Sequence, residues 1–492
     1  MPAAFQQSNI LTLGILAVLF CVTTVLGLMI NKFDLVIAFG LVGGIIVFIL
    51  SFVNVQFAVY ILIFATLLSP EFGSRTTSGS GVTIRVDDLI LIVICFAQLT
   101  KSGIYSSVGL FSWTPLNRYI GLYMLICVIS TTTGVLFGRV NPLTGFFFVA
   151  KYFQYFVIYF MVINNLETKS QARGYLISIL ITAAIVSLVA MSQIPGGGRV
   201  SAPFEGESGE PNTLGGYLLL ITSITGGLLL APGAVPKFGH RFLLYTLCFM
   251  MVIPILFTLS RATWLAAVPM CIAFWVLSDK KVILTGGAIA ILAMSPFLMP
   301  ESVKERLFYT TEKQDNVWAL KQQESVGGVT FDTSSSARIR SWKNSLEAIP
   351  THPIIGWGVT GWRFIDAQYF KVVVETGLLG LASFWLLLGK ILSNTWQSYK
   401  KGEDPLFRGV SLGFIVGTIA MISHATMTNT FIIVRIMEPF CLIMAIVIGV
   451  PHLEEQEREA QEAAKASEAA REQGEPTPAE KRLLVRPGAR AM

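Results

Sequence analysis

The chain has 492 residues, of which 53% are hydrophobic and only 13% charged, and a formal net charge of +6. A soluble globular chain carries about twice that charged fraction. With no spaced basic–aromatic patch either, composition argues against both a soluble fold and a nucleic-acid partner. The six cysteines, Cys21, Cys95, Cys127, Cys248, Cys271 and Cys441, lie inside apolar runs without CxxC spacing, so each reads as a small buried hydrophobe rather than a zinc ligand or disulfide partner.

A span needs about 20 mostly apolar residues to cross the hydrocarbon core. Such runs lie near 9–30, 34–53, 54–70, 87–100, 117–136, 143–165, 173–192, 212–231, 241–259, 261–278, 281–299, 366–394, 407–425 and 429–450. Backbone groups in lipid must be satisfied within each segment, so these runs are helices. The predicted fold class is all-α: a polytopic membrane helix bundle of about 12–14 spans, the short 87–100 run setting the range, with a large extracytosolic loop of short amphipathic helices. The first run has no basic stretch before it and is too long for a signal sequence, which makes it a retained span. The expected organisation is an N-terminal transmembrane bundle over 1–299, an extracytosolic loop over 300–365, C-terminal transmembrane helices over 366–451, and a tail over 452–492. That tail is rich in Glu, Ala, Gln and Lys and then turns basic through Lys481-Arg482 and Arg490. Its first part reads as a solvated helix and the rest as disordered, with no catalytic role.

With both termini in the cytosol, the inward connections 101–118, 166–173, 232–241, 279–281 and 395–408 hold eleven Lys or Arg. The short outward ones hold six: Lys32, Arg75, Arg85, Arg139, Arg199 and Arg261. The bias is inside-positive, as expected for a protein of the bacterial inner membrane. Seven of the inner eleven are lysine and five of the outer six are arginine. Lysine suffices for topology, whereas arginine offers a planar fork that grips phosphate through two parallel hydrogen bonds. The 300–365 segment adds Arg306, Arg338, Arg340 and Arg363 on the outer side. An anionic, phosphate-bearing substrate is the functional reading of this set. Headgroup binding or solvation accounts for any one arginine alone.

Along the outer face, Asp87-Asp88 open a helix, where the dipole explains them without a metal. The glycine-rich stretch 193–211 carries Arg199 and ends in Pro211-Asn212-Thr213, a good helix start at which Asn212 can serve as a cap. At Leu259-Ser260-Arg261 two apolar runs meet almost without a loop, so Arg261 either snorkels or faces a cavity at the membrane surface. Membrane depth also flags Lys151, Lys371, Glu375, Arg435 and Glu438. Lys371 and Glu375, four apart, and Arg435 and Glu438, three apart, can simply pair. In the long loop, Ser334-Ser335-Ser336 precede Arg338, Arg340 and Trp342, and 336–349 has the spacing of an amphipathic helix on the membrane face.

These outer residues resemble the O-antigen ligase/polymerase family (the Wzy-type polymerases and lipopolysaccharide ligases). The resemblance rests on Arg199, Phe204 and Pro211-Asn212, then Ser260-Arg261. It continues with Arg340 and Trp342 ahead of His352-Pro353-Ile354-Ile355-Gly356-Trp357-Gly358, and closes with Tyr369 and the run from Glu375 to Gly380. The Arg85-Val86-Asp87-Asp88 opening is also similar, and the likeness extends over roughly 85–450. One departure stands out: where the ligases carry a His-Asn-type pair, this chain has Asp366-Ala367. The missing imidazole favours a polysaccharide polymerase over a ligase acting on a lipid core. His352 fits the turn pattern, His424 is an alternative base, and His240 and His452 fall on the cytosolic side.

The resemblance implies a glycan carried on undecaprenyl diphosphate and transferred to a sugar hydroxyl at the periplasmic face. Arg199, Arg261 and Arg340, with Arg338 in reserve, are the expected diphosphate contacts, and Arg261 and Asp366 the catalytic pair, Asp366 positioning or deprotonating the acceptor. No cofactor and no metal are expected. The expected partners are the polyprenyl-diphosphate-linked glycan, membrane lipids and polysaccharide export or flippase machinery. A multi-span glycolipid flippase or transporter is the rival reading, disfavoured because no internal repeat appears and the outer cations cluster at the interface.

Overall fold

In a computed structural model of the chain, the described residues are 35–69, 71–72, 84–104, 113–203, 209–298, 300–308, 325–326, 329–330 and 332–472. The first predicted run, Lys32, Arg75, Phe204 and the tail beyond Glu472 lie outside them. Every predicted run from 34–53 onward is helical. In chain order the helices are α1 (Leu35–Val53), α2 (Val55–Leu68), α3 (Val86–Ile104), α4 (Asn117–Leu136), α5 (Pro142–Asn165), α6 (Lys169–Gln193), α7 (Pro211–Leu230) and α8 (Phe238–Phe257). They continue with α9 (Arg261–Leu277), α10 (Lys281–Leu298), α11 (Glu301–Phe308), α12 (Thr333–Ala348), α13 (Gln368–Lys401), α14 (Pro405–His424) and α15 (Val434–Glu472). Among the described residues, eight helices are long and apolar enough to cross a membrane: α4 to α8, α13, α14 and α15. The shorter apolar helices α2 and α9 have 14 and 17 residues. Two short antiparallel ladders, Glu71–Phe72 with Ile84–Arg85 and Ser325–Val326 with Val329–Thr330, are the only strands among the described residues.

Two compact units divide the chain. The first holds α1 to α3. There Arg85 pairs with Asp87 at 2.5 Å, Asp87 accepts from Ser69, and the Asp88 carboxylate accepts the Arg85 backbone N–H. The Arg85-to-Asp88 opening is therefore a satisfied helix start.

The second unit runs from Trp113 to Ala202 and from Gly209 onward. Its centre is α7, nearly all of which is buried, packed along α14. Small residues make that approach possible: a Cβ on Gly413 would lie 2.5 Å from the Ser223 carbonyl, and one on Gly227 would strike Gly409 and Gly413. Polar contacts sort the ends of the helices into two faces. On one, Lys169 pairs with Glu457, Arg173 with Asp404, and the Glu454 carboxylate accepts the backbone N–H groups of Glu403 and Asp404. On the other, Val200 N–H donates to the Phe257 carbonyl and Gln368 N–H to the Ala425 carbonyl, gathering the segments after α6, α8 and α14 with the start of α13.

α13 has 34 residues, about 50 Å of helix against a hydrocarbon core of about 30 Å. It breaks at Gly377 (φ 70°, ψ −172°). The bonds that Leu378 and Leu379 N–H would make to the Val374 and Glu375 carbonyls are missing, and the 352–358 turn replaces them from both sides. Leu378 N–H donates to the Pro353 carbonyl at 2.8 Å and Leu379 N–H to Ile354 at 3.3 Å, while Trp357 N–H donates to Val374 at 2.9 Å and Gly358 N–H to Glu375 at 2.8 Å. The Ser130 hydroxyl on α4 lies 2.6 Å from both the Ile355 and the Glu375 carbonyl oxygens. Broken helix at this depth is tolerated because protein satisfies the freed groups. Gly356 (φ 77°) and Gly377 have left-handed backbones, and a Cβ on either would run into the backbone of the other segment.

Gly377→Ala should therefore destabilise the protein by about 2 kcal/mol or more, from backbone strain and the lost interlock. Thermal unfolding of the detergent-solubilised chain measures this. Gly356→Ala should cost a similar amount and the double variant less than the sum, since both open one joint.

Candidate active site

α9 starts at a strained corner: Leu259 has φ 49°, and Ser260 caps the helix by accepting the Thr263 N–H. The Ser260 hydroxyl also donates to the Asn212 side-chain oxygen at 2.6 Å, so Asn212 ties α7 to α9 instead of capping its own helix. The corner aims Arg261 at the start of α12. There its two terminal nitrogens bind the Asp332 carboxylate in bidentate fashion, at 2.8 and 2.6 Å, and one also meets the Ser335 hydroxyl at 2.7 Å. Asp332 is fully buried and caps α12 through the Ser335 N–H. Burial alone would raise its pKa, but the bonds from Arg261 and Ser335 prevail and hold it near 2.

The amphipathic helix predicted over 336–349 is α12. Ser335, Arg338 and Trp342, at i, i+3 and i+7, share the face turned toward the start of α13. Arg338 Nε donates to Asp366 Oδ2 at 3.2 Å, and Trp342 stacks on Phe370 with ring centroids 5.9 Å apart. Arg340 lies two residues from Arg338 and hence on roughly the opposite side of the helix. Of the two arginines, Arg338 is the one whose bond to Asp366 ties α12 to the approach to α13. Burial pushes the Asp366 carboxyl above its usual range, against the pull of Arg338, while a third of the side chain stays exposed.

Arg199, an exposed residue of the glycine-rich loop, donates through Nε to the Thr258 carbonyl at 3.0 Å. Partial burial of its head group, and then the like charges of Arg306, Arg338 and Arg261, pull its pKa down to about 10. The structure thus brings Arg199, Arg261 and Arg338 within electrostatic reach of one another, together with Arg306 of α11. The buried donors here without a hydrogen-bond partner among the described residues include Arg261 Nε and Trp342 Nε1. The like charges that lower the Arg199 pKa, together with these orphaned donors, make the cluster a candidate anion site.

His424 is wholly buried. Its Nδ1 lies 2.8 Å from the Thr430 hydroxyl and 3.0 Å from that of Thr428, and its Nε2 3.4 Å from that of Thr263. The ring is a strut in a hydroxyl network and does not reach the surface. Lys371 and Glu375 do pair, at 2.5 Å, and Glu375 also accepts the N–H of Thr360, whose φ is 67°. Glu438 accepts from Gln154 at 2.7 Å. The site residue that sequence reasoning passed over is Asp332, while Arg306 was marked only as one of the outer arginines. For Asp332 the one available signal was its place just ahead of a Ser/Thr-rich helix start.

Residues 246–385 match the family model described as O-antigen ligase. The chain carries an O-antigen ligase domain. This domain includes the Ser260-Arg261 corner, α12, the 352–358 turn and the broken part of α13, so most of the site lies inside it and Arg199 outside. The match supports the family resemblance seen in the sequence, and the long apolar helices make this a membrane protein. No curated protein matches the chain.

Because the folded Asp332 pKa lies below its ordinary value of 3.8, its stabilisation is whole above about pH 4 and is lost as pH falls toward 2. Asp332→Asn should remove about 2 kcal/mol at neutral pH and flatten that acid limb. Unfolding midpoints measured from pH 2 to 7 test both effects.

Proposed function

We propose that the chain is a polysaccharide polymerase: it transfers a glycan from an undecaprenyl-diphosphate carrier to a sugar hydroxyl at the outer face of the bacterial inner membrane. Both termini are cytosolic in this reading. The convergence of Arg199, Arg261 and Arg338 beside Asp366, on the face away from the lysine-rich connections, carries it.

The acceptor oxygen attacks the anomeric carbon, its proton passes to Asp366, and the bond from that carbon to the diphosphate breaks. The leaving group gains negative charge as the bond lengthens, and fixed guanidiniums stabilise that charge more than they stabilise the ground state. Their mutual repulsion in the empty site makes the incoming diphosphate more welcome. Asp366 suits the base: no described residue bonds its second oxygen, and burial raises its proton affinity against the pull of Arg338. Arg340 lies off this face and is assigned no diphosphate contact. Diphosphate is a good leaving group once its charge is held, so the scheme draws on no metal or cofactor. Asp366 in place of an imidazole favours polymerase over ligase, and export or flippase machinery is the natural partner of such a product.

Arg261→Ala should cut polymerisation about a hundredfold, or roughly 3 kcal/mol. Surface polysaccharide should collapse to short chains while the protein stays in the membrane, and normal chain lengths would remove Arg261 from the site. Asp366→Asn should be equally inactive. The wild-type rate should rise with pH through a pKa above the usual carboxylate value, because only the ionised form accepts the proton. Transfer assayed with purified protein and a lipid-linked oligosaccharide should persist in excess chelator.

A further inference from the structure

Apart from the arginine cluster, a cavity opens where the turn between α4 and α5 meets the 352–358 segment. It encloses about 430 Å³, and Phe137, Arg139, His352, Pro353 and Ile354 are among its walls. The lining is mainly apolar, and the rim exposes Leu136, Phe137 and Ile354, at 78, 72 and 61%. Such a surface suits hydrocarbon and not water.

Arg139 is the odd member of this apolar setting. No described carboxylate pairs with it, whereas Arg261 and Arg338 each hold one. Its Nε is buried without a hydrogen-bond partner. Its guanidinium is instead held over two rings, 5.3 Å from the centroid of Phe137 and 5.8 Å from that of Trp357. The position is fixed from behind. Val140 sits where Gly134, Gly145 and Gly358 have no side chains, and the His352 ring lies 4.4 Å from Trp357, closing the far wall. A preset cation at the mouth of an apolar cavity, with a buried donor unused, fits one class of ligand: an amphiphile with a single anionic phosphate.

We infer that this cavity binds an anionic bilayer phospholipid, its phosphodiester on Arg139 and an acyl chain against Phe137 and Ile354. Free phosphate would leave the apolar walls wet. A diphosphate carrier would bring a doubly charged head to one guanidinium, which distinguishes this place from the multi-arginine site. The site is independent of the transfer chemistry.

Native mass spectrometry of the full chain, delipidated and then reloaded with phosphatidylglycerol, phosphatidylcholine, inorganic phosphate or an isoprenoid phosphate, tests this. The wild type should retain one phosphatidylglycerol, at least about tenfold more tightly than Arg139→Gln, since a hydrogen bond to a charged group contributes about 1.5–3 kcal/mol. Arg139→Lys should retain part of that affinity, and phosphatidylcholine, whose quaternary ammonium offsets the phosphate charge and is repelled by the guanidinium, should be held more weakly. Ile354→Asp places a carboxylate in the wall at an exposed position, so it should also lose the lipid while folding normally. Equal retention by Arg139→Gln, equal retention of the two phospholipids, or displacement by inorganic phosphate or the isoprenoid phosphate overturns the assignment.

Discussion

The joint between the 352–358 turn and the break in α13 is the constraint on which the rest of this site depends. At about 50 Å, α13 is longer than the hydrocarbon core. The turn supplies the donors and acceptors that the break sets free, and so divides α13 into a membrane-crossing portion and a shorter leading segment. That leading segment carries Asp366 at its mouth, Phe370 on its flank, and the buried Lys371–Glu375 pair in its body. The chain enters α13 in the one place where α12 can meet it. The short patterns His-Pro-x-x-Gly-x-Gly and Glu-Thr-Gly therefore have a mechanical meaning. They are two halves of one backbone clasp, with glycines wherever a Cβ would strike the opposite half.

The electrostatics build on that scaffold. Arg261 is not a loose snorkelling cation. It is anchored by a bidentate bond to a buried carboxylate, which fixes its head and leaves Nε unused. Arg338 is oriented by Asp366 in the same manner. A guanidinium held this way loses little freedom when an anion arrives, and positioned charge is the form of stabilisation that a transfer reaction needs. The hydroxyl network under the corner, Asn212 to Ser260 to Thr263 to His424, holds α7, α9 and α14 in register beneath those charges. His424 gives up access to substrate in that role.

The arginines of this face thus do different work according to their surroundings. Arg199 sits on a glycine-rich loop and feels the repulsion of its neighbours. Arg139 lies among aromatic rings at an apolar rim. Identical side chains at one membrane face are separated by burial, partner and dielectric, which neither charge counting nor topology distinguishes.

The sequence by itself determined the class of fold and the approximate place of the apolar helices among the described residues, because a bilayer demands long apolar runs and permits little else. It also marked Ser260-Arg261, Arg338, Asp366 and the glycine turn, since polar groups and paired glycines are costly there without a purpose. Tertiary structure alone decided which of these meet. Arg338 meets Asp366 although 28 positions separate them in the chain. Asp332 holds Arg261 although 71 positions separate them in the chain. His424 is enclosed although it ends a span. Each of these outcomes depends on how separate helices rotate and pack against one another. Hydrophobic periodicity sets only a broad stripe on each helix, so angles and pairings come from close packing between segments distant in sequence.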